Sequence, residues 1–164
     1  MLNDRSTPLS LLKTRRSGRP RDMVEPGPDP AQLSEIIEIA ARTPDHGKLF
    51  PWRFVIVPKE RRADFAALLR KAFDGDAPVA DFRKLEAVER IAHQAPALVI
   101  VMSTPVEGHK VPVWEQQLSA GAACMNLLHA AHAMGFVGGW ITGWRLTRKP
   151  CAARSDRRTN ASPA

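Results

Sequence analysis

The sequence lacks the signatures that most readily assign a chain to a known kind of site. Its two cysteines, Cys124 and Cys151, form neither a CxxC pair nor a metal-type cluster. This cysteine usage predicts a reduced, cytoplasmic compartment and no metal centre. GxGxxG, Walker and GxSxG patterns are absent, so the sequence supports neither a Rossmann or P-loop nucleotide site nor a nucleophile elbow.

Long apolar runs and a secretory leader are also missing. The longest apolar runs are far shorter than a membrane span, and no stretch has the charged-then-apolar order of a signal peptide. We therefore expect no membrane partner. With 164 residues, of which 44% are hydrophobic, the chain is long enough for one domain with a substantial core.

The excess of positive charge lies mostly at one end of the chain. Of the formal net charge of +7, residues 145–164 carry +5, from six arginines and lysines and one aspartate. We expect this basic tail to be disordered. The body, residues 1–144, carries only +2, which argues against a nucleic-acid partner. The alternative is a tail that binds nucleic acid or another acidic partner, although it has no aromatic residue to stack on bases.

Apolar spacing in the body predicts alternating helices and strands. Asp29 is a good N-cap, Pro30 suits the first helical position, and Pro44 should end that helix. Gly135 should terminate a long helix that is rich in small residues and therefore suited to a buried central position. This alternation favours an α/β or α+β layered domain. The other predicted helices span 2–14 (with Leu2, Leu9, Leu11 and Leu12 as candidate core), 60–73, 80–94 and 111–135, and the predicted strands span 52–57 and 97–103.

Two polar clusters are candidates for ligand binding. Residues 15–17, "RRS", place two guanidiniums and a hydroxyl at a helix-to-loop junction, which suits a phosphate. The alternative for this stretch is a solvated basic turn. Arg42, Asp45 and His46 gather around Pro44 and Gly47 at the entrance to a strand, where ligand-binding side chains are common. An ordinary turn with a capping aspartate remains open there.

The long helix carries three further polar residues of interest. Glu115 lies in its first turns, where a carboxylate interacts favourably with the helix dipole. His129 and His132 lie three residues apart and share a helix face. They could form a metal pair, but no third ligand is evident, and we expect no metal.

The order of three segments resembles the nitroreductase family. The segments are "RRSGR", "ARTPDHGKLFPWRFVIV" and "HKVPVWEQQLSAGAACMNLLHAAHAMGFVGGWITG", and the resemblance covers about residues 8–144. It is strongest to the compact bacterial subgroup of NAD(P)H-dependent, FMN-binding nitroreductases. Membership implies an α+β fold with a central, mainly antiparallel sheet wrapped by helices. It also implies a homodimer with one FMN at each of two inter-subunit sites.

The resemblance further implies a chemistry and a set of site residues. A hydride would pass from NAD(P)H to FMN and then to a small electron acceptor, such as a nitroaromatic or a quinone, in a ping-pong cycle. No side chain need act as an acid or base. Ile141 stands where relatives can have arginine, so one phosphate contact is missing. The FMN-binding positions are Arg15, Arg16, Ser17, Arg42, His46, Trp140, Ile141 and Thr142, and the NADP-binding positions are Ala130, Ala131, His132, Ala133, Met134 and Gly135.

The resemblance stops at Trp144. The family continues with a short acidic turn, a helix and a strand of the type "NERIAGFIHIGTP", which predicts a domain that is incomplete at its C-terminus and lacks the final strand. With GC-rich codons chosen for residues 145–164, another reading frame encodes "ADEEAVRREIGPPNERVAG". The hypothesis is a frameshift after Trp144, which sequencing the gene across this codon tests. The alternative function is then a truncated, catalytically impaired flavin-fold protein.

Overall fold

The structure, a computed structural model, describes residues 2–74 and 82–142. The basic tail and the end of the domain, where we expect a strand to be missing, lie outside these described residues. The described residues divide into two compact units, one of residues 2–59 with 94–140 and one of residues 60–74 with 82–93 and 141–142. The elements are α1 (Pro8–Thr14), α2 (Pro30–Ala41), β1 (Trp52–Ile56), α3 (Arg62–Asp74), α4 (Phe82–His93), β2 (Val99–Ser103) and α5 (Val113–Ala133), with short 3-10 turns at Pro20–Asp22 and Lys59–Arg61.

The first helix is shorter than the sequence predicts. Thr7 is its N-cap, its hydroxyl accepts from the Ser10 amide at 3.0 Å, and Pro8 occupies the first turn. The predicted start at Leu2 is wrong because Asn3 has φ +53°, which no right-handed helix permits. The predicted core is also wrong in part. Only Leu11 is buried, whereas the other three leucines are exposed: Leu2, Leu9 and Leu12.

The second helix begins and ends where local signals predict. Asp29 and Gln32 form a capping box, in which each side chain accepts from the other residue's amide at 2.8 and 3.0 Å. Pro30 stands in the first turn, and Arg42 is the C-cap just before Pro44. The ends of this helix can be predicted because each capping residue interacts with residues only a few positions away in the chain.

The sheet of the described residues has two antiparallel strands. β1 pairs with β2 in a register that places Trp52 opposite Ser103 and Ile56 opposite Val99. Beyond the ladder, the Val57 amide donates to the Leu98 carbonyl at 3.0 Å. The predicted strands and the predicted antiparallel sheet are confirmed.

Helix α5 packs against both the sheet and α2. In its first half, the buried Ala120 and Ala123 pack with Trp52 of β1. In its second half, Ala130 and Ala131 pack against the buried Ile36 of α2. Small residues allow this close approach along the helix. Gly135 ends the helix region with φ +95°.

In its described residues, the second unit consists mainly of a pair of helices. α3 and α4 carry its apolar core, which includes Phe65, Leu69 and Ala92. The buried Arg62 guanidinium donates to the Ala92 carbonyl at 2.8 Å. Both helices match the predicted ones, and the α+β class predicted for the chain is confirmed. Within the described ranges, no helix is both long and apolar enough to cross a membrane.

Candidate functional site

The loop 15–17 follows directly from the end of α1. The Arg15 amide donates to the Leu11 carbonyl at 2.8 Å, and the Arg16 amide donates to Asn3 Oδ1 at 2.8 Å. The backbone is therefore held from two directions. The Arg15 guanidinium donates to Ser17 Oγ at 3.2 Å, and the Arg16 and Ser17 side chains are exposed. The arrangement presents guanidinium donors and a hydroxyl side by side at the surface.

Glycine contacts join this loop to the segment that follows α5. The Gly18 amide donates to the Gly138 carbonyl at 3.1 Å. A Cβ added to Gly139 would lie 2.5 Å from the Gly18 carbonyl oxygen, closer than any real Cβ approaches an oxygen. The two segments therefore meet backbone against backbone. This contact places the loop 15–17 beside the segment that leads into Trp140.

The predicted third FMN segment, residues 140–142, is solvent-exposed. Trp140 is 49% exposed and belongs to the first unit, where its ring lies close to Gly121 of α5. Ile141 and Thr142 are exposed as well and fall in the second unit. All three side chains are thus accessible to a ligand.

The loop between α2 and β1 is tight and strained. The Asp45 carboxylate accepts from the Leu49 amide at 2.5 Å and from the Phe50 amide at 3.1 Å. Gly47, Lys48 and Phe50 have φ of +87°, +54° and +48°, and for Lys48 and Phe50 this conformation is costly. The polar cluster predicted before the first strand therefore lies in a loop whose backbone is held by hydrogen bonds to Asp45.

His46 projects from this loop and meets Glu115 of α5. His46 Nδ1 and Glu115 Oε1 are 2.8 Å apart. His46 is exposed and Glu115 is half-buried. Sequence reasoning assigned Glu115 to the helix dipole and missed this pairing, because no spacing rule connects residues 69 positions apart. Its position in the first turn of α5 remains favourable for the dipole.

The loops that carry Arg15 and His46 contact different elements: the first meets Gly138 and Gly139 after α5, and the second meets Glu115 at the start of α5. Arg42, the C-cap of α2, is exposed close to His46 in sequence. In the described part of the chain, no hydrogen bond or ion pair joins the loop 15–17 to Arg42 or His46. The resemblance assigns these two sets of residues to a site formed by two copies of the chain.

The stretch expected to bind NADP lies partly in the core. Ala130, Ala131 and His132 are buried, Met134 is half-buried, and Ala133 and Gly135 are exposed. The three buried side chains pack inside the first unit. Only the remaining residues of this stretch offer side-chain or backbone surface to a nucleotide.

His132 is buried and His129 is half-buried. The Gly138 amide donates to His132 Nε2 at 3.4 Å, while Nδ1 of each histidine is buried with no hydrogen-bond partner. Burial and the nearby Arg15 charge lower the pKa of both side chains. Among the residues that the structure describes, no group of three His, Cys, Asp or Glu is placed to hold a metal ion.

Comparisons with known proteins agree with the resemblance. The Nitroreductase family model matches residues 12–154. A relative from Escherichia coli K12, "Putative NAD(P)H nitroreductase YdjA", is 37% identical over 142 residues, which cover 87% of this chain and 75% of the relative. A "Putative NAD(P)H nitroreductase" from Haemophilus influenzae is 40% identical over 140 residues, covering 82% of this chain and 72% of the relative.

A solved structure supports the fold. The nitroreductase-like family protein from Bacillus cereus superposes with a TM-score of 0.74 over 92% of this chain and 78% of its own, at 16% sequence identity. The nitroreductase-like fold and the oxidoreductase class expected from the sequence are therefore confirmed. By sequence match and by fold, the chain belongs to the nitroreductase family.

Proposed function

We propose that this chain is an FMN-dependent oxidoreductase that takes a hydride from NAD(P)H and delivers it to nitroaromatic or quinone-like acceptors in a ping-pong cycle. Family membership and the names of the two bacterial relatives support the reaction class. FMN, when bound, supplies the hydride chemistry, and the protein supplies binding and orientation. The observation that carries the proposal is the surface loop 15–17, held against the Gly138–Gly139 segment.

The loop 15–17 fits the phosphate of FMN. Ser17 Oγ accepts from Arg15, which leaves the serine proton free to donate to a phosphate oxygen. The exposed Arg16 adds a second guanidinium, and arginine forks match phosphate geometry. The backbone bonds of Arg15 and Arg16 fix the loop before the ligand arrives, so binding costs little additional ordering.

Arg42 and His46 are proposed to contact FMN from the second copy of a homodimer. The homodimer is supported by large apolar side chains that a single chain leaves in solvent, since such patches mark interaction surfaces. Trp114 and Leu118 of α5 are 61% and 65% exposed. The same is true of residues on α1 and in the loop before β1, namely Leu9, Leu12 and Phe50.

The donor NAD(P)H is proposed to reach the exposed part of the stretch 130–135. Ala133, Met134 and Gly135 supply that surface. We also propose a cytoplasmic location. Among the described residues Cys124 is a free cysteine, and chains without disulfides are typical of reducing compartments.

The visible absorption spectrum of the purified chain tests the proposal. We expect flavin bands near one FMN per chain, which bleach when NADPH is added without oxygen. Arg16→Ala should weaken FMN binding by about tenfold or more, since a charge-assisted hydrogen bond is lost. Arg21→Ala is the matched control, because Arg21 is equally exposed and lies in the neighbouring 3-10 turn.

Two results would overturn the proposal. One is a colourless chain that takes up no added FMN. The other is an Arg16→Ala variant that binds FMN as tightly as the Arg21→Ala control does, since the loop 15–17 would then have no part in the site.

A further inference from the structure

We propose that Glu115 is a positioning residue for His46: in the neutral imidazole it holds the proton on Nδ1 and leaves Nε2 as the acceptor that remains for a ligand. The proposal starts from the contact of 2.8 Å between His46 Nδ1 and Glu115 Oε1. Its consequence for FMN rests on the proposed function. The orientation of His46 itself does not.

The chemistry of the pair assigns the proton. A carboxylate only accepts hydrogen bonds, so the proton between the two atoms belongs to Nδ1. Nε2 of the neutral ring is then an acceptor. A neutral histidine side chain without such a partner favours the opposite tautomer, with the proton on Nε2. With Glu115 in place, Nε2 is therefore a hydrogen-bond acceptor for a ligand, whereas without Glu115 it would be a donor.

The backbone on the His46 side of the pair is fixed independently of Glu115. The Asp45 carboxylate holds the Leu49 and Phe50 amides, and Lys48 and Phe50 keep positive φ angles. Such strain persists only where the surroundings over-determine the conformation. The loop therefore fixes the position of the His46 backbone. Glu115 then determines the tautomer and the orientation of the His46 ring.

The backbone on the Glu115 side is fixed as well. The next residue, Gln116, is buried, and its side-chain amide accepts from the Val106 amide at 2.8 Å and donates to the Val106 and Val111 carbonyls at 3.1 and 3.0 Å. These bonds lock the start of α5 to the preceding loop. A half-buried carboxylate on a locked helix turn is a well-placed orienting group.

Nuclear magnetic resonance of the ¹⁵N-labelled chain reads the tautomer directly, without FMN. At about pH 8, two-bond ¹⁵N–¹H correlations should show the Nδ1–H tautomer of His46 in the wild type. Glu115→Ala should lose it, whereas Glu115→Gln should keep it because the amide oxygen can still accept. Glu107→Ala is the matched control, since it removes an exposed carboxylate from the loop before α5 and should leave His46 unchanged.

FMN titrations of the same variants measure how the orientation of His46 affects the affinity for FMN. Glu115→Ala should weaken FMN binding by about tenfold, while Glu115→Gln should stay within about threefold of the wild type. A merely structural role would instead lower the stability of both variants without switching the tautomer of His46.

The possible outcomes separate the two proposals. An unchanged His46 tautomer in Glu115→Ala, or an Nε2–H tautomer in the wild type, overturns the positioning role. A switched tautomer with unchanged FMN affinity overturns its relevance to the site. A wild-type chain that binds no FMN refutes the proposed function, and the tautomer comparison then decides alone whether Glu115 orients His46.

Discussion

At the scale of the residue, His132 is a polar side chain in an apolar setting. It is 1% exposed, its Nδ1 has no hydrogen-bond partner, and its Nε2 accepts only a long bond from Gly138. Burial first, and the charge of Arg15 second, lower the pKa of His132 below its ordinary value of 6.5. The folded protein therefore resists protonation of a side chain that the unfolded chain protonates freely.

This difference predicts acid sensitivity. Well above pH 6.5, the ordinary pKa of histidine, both states hold His132 neutral and it has no pH-dependent effect. As pH falls from there towards the lower folded-state pKa, the unfolded chain binds the proton more readily and the free energy of unfolding decreases. Between about pH 7.5 and pH 5.5, the melting temperature should fall by roughly 3 °C more in the wild type than in His132→Gln.

The control for this prediction is His93→Gln, which replaces an exposed histidine of α4. It should keep the full acid-induced fall in melting temperature. If His132→Gln and the wild type lose stability in parallel as the pH is lowered, His132 is not a buried neutral group and its assignment to the core fails.

Local residue patterns were predictable from the sequence and distant pairs were not. The N-cap Asp29 could be predicted because the Gln32 amide that it binds is three residues away. The pairs His46–Glu115 and Thr43–Asn126 join residues 69 and 83 positions apart. Only the packing of α5 against the rest of the first unit brings them together, and no spacing rule encodes that packing.

At the scale of the element, the segment 136–140 has no regular structure, yet its glycines connect α5 to the loop after α1. A Cβ on Gly138 would lie 2.7 Å from Leu128 Cδ2, and one on Gly139 would meet the Gly18 carbonyl oxygen. Its glycine-rich composition is typical of irregular backbone, but the identity of its neighbour follows only from the fold.

Gly139→Ala is expected to disturb the loop 15–17 from a distance. The obstructing atom is backbone, 2.5 Å away from the added Cβ, so the Gly18 segment must move. FMN affinity should fall by about tenfold, because even a small misplacement of the phosphate-binding donors weakens their bonds. Equilibrium titration with FMN and a thermal melt measure the two effects separately.

Gly121→Ala is the control for that substitution. A Cβ at Gly121 would make an ordinary contact of 3.8 Å with the Trp140 ring, and alanine favours the helix by up to about 1 kcal/mol. This variant should bind FMN normally and melt at the same or a higher temperature. Normal FMN binding by Gly139→Ala would show that the glycine contact does not position the loop.

At the scale of the whole molecule, several large apolar side chains stay exposed in the single chain. Leu9 and Leu12 fit an amphipathic pattern and were predicted as core, but both are 60% exposed. Periodicity identifies an apolar face without saying whether the covering surface belongs to the same chain or to a second copy. The family match extends to residue 154, and the frameshift hypothesis for residues beyond Trp144 stays a prediction for sequencing of the gene.

The proposed homodimer gives the last prediction. Leu118 lies on α5 and is 65% exposed, so Leu118→Glu should place a charge in the proposed subunit interface without touching the core of the chain. Sedimentation should show a dimer for the wild type and a monomer for this variant, with unchanged far-ultraviolet circular dichroism. FMN binding should be lost together with the dimer, since Arg42 and His46 would then be absent from the site. Ala31→Glu, a charge added to an exposed position of α2, should remain dimeric and bind FMN. A monomeric Leu118→Glu that keeps full FMN affinity would place the whole site within one chain.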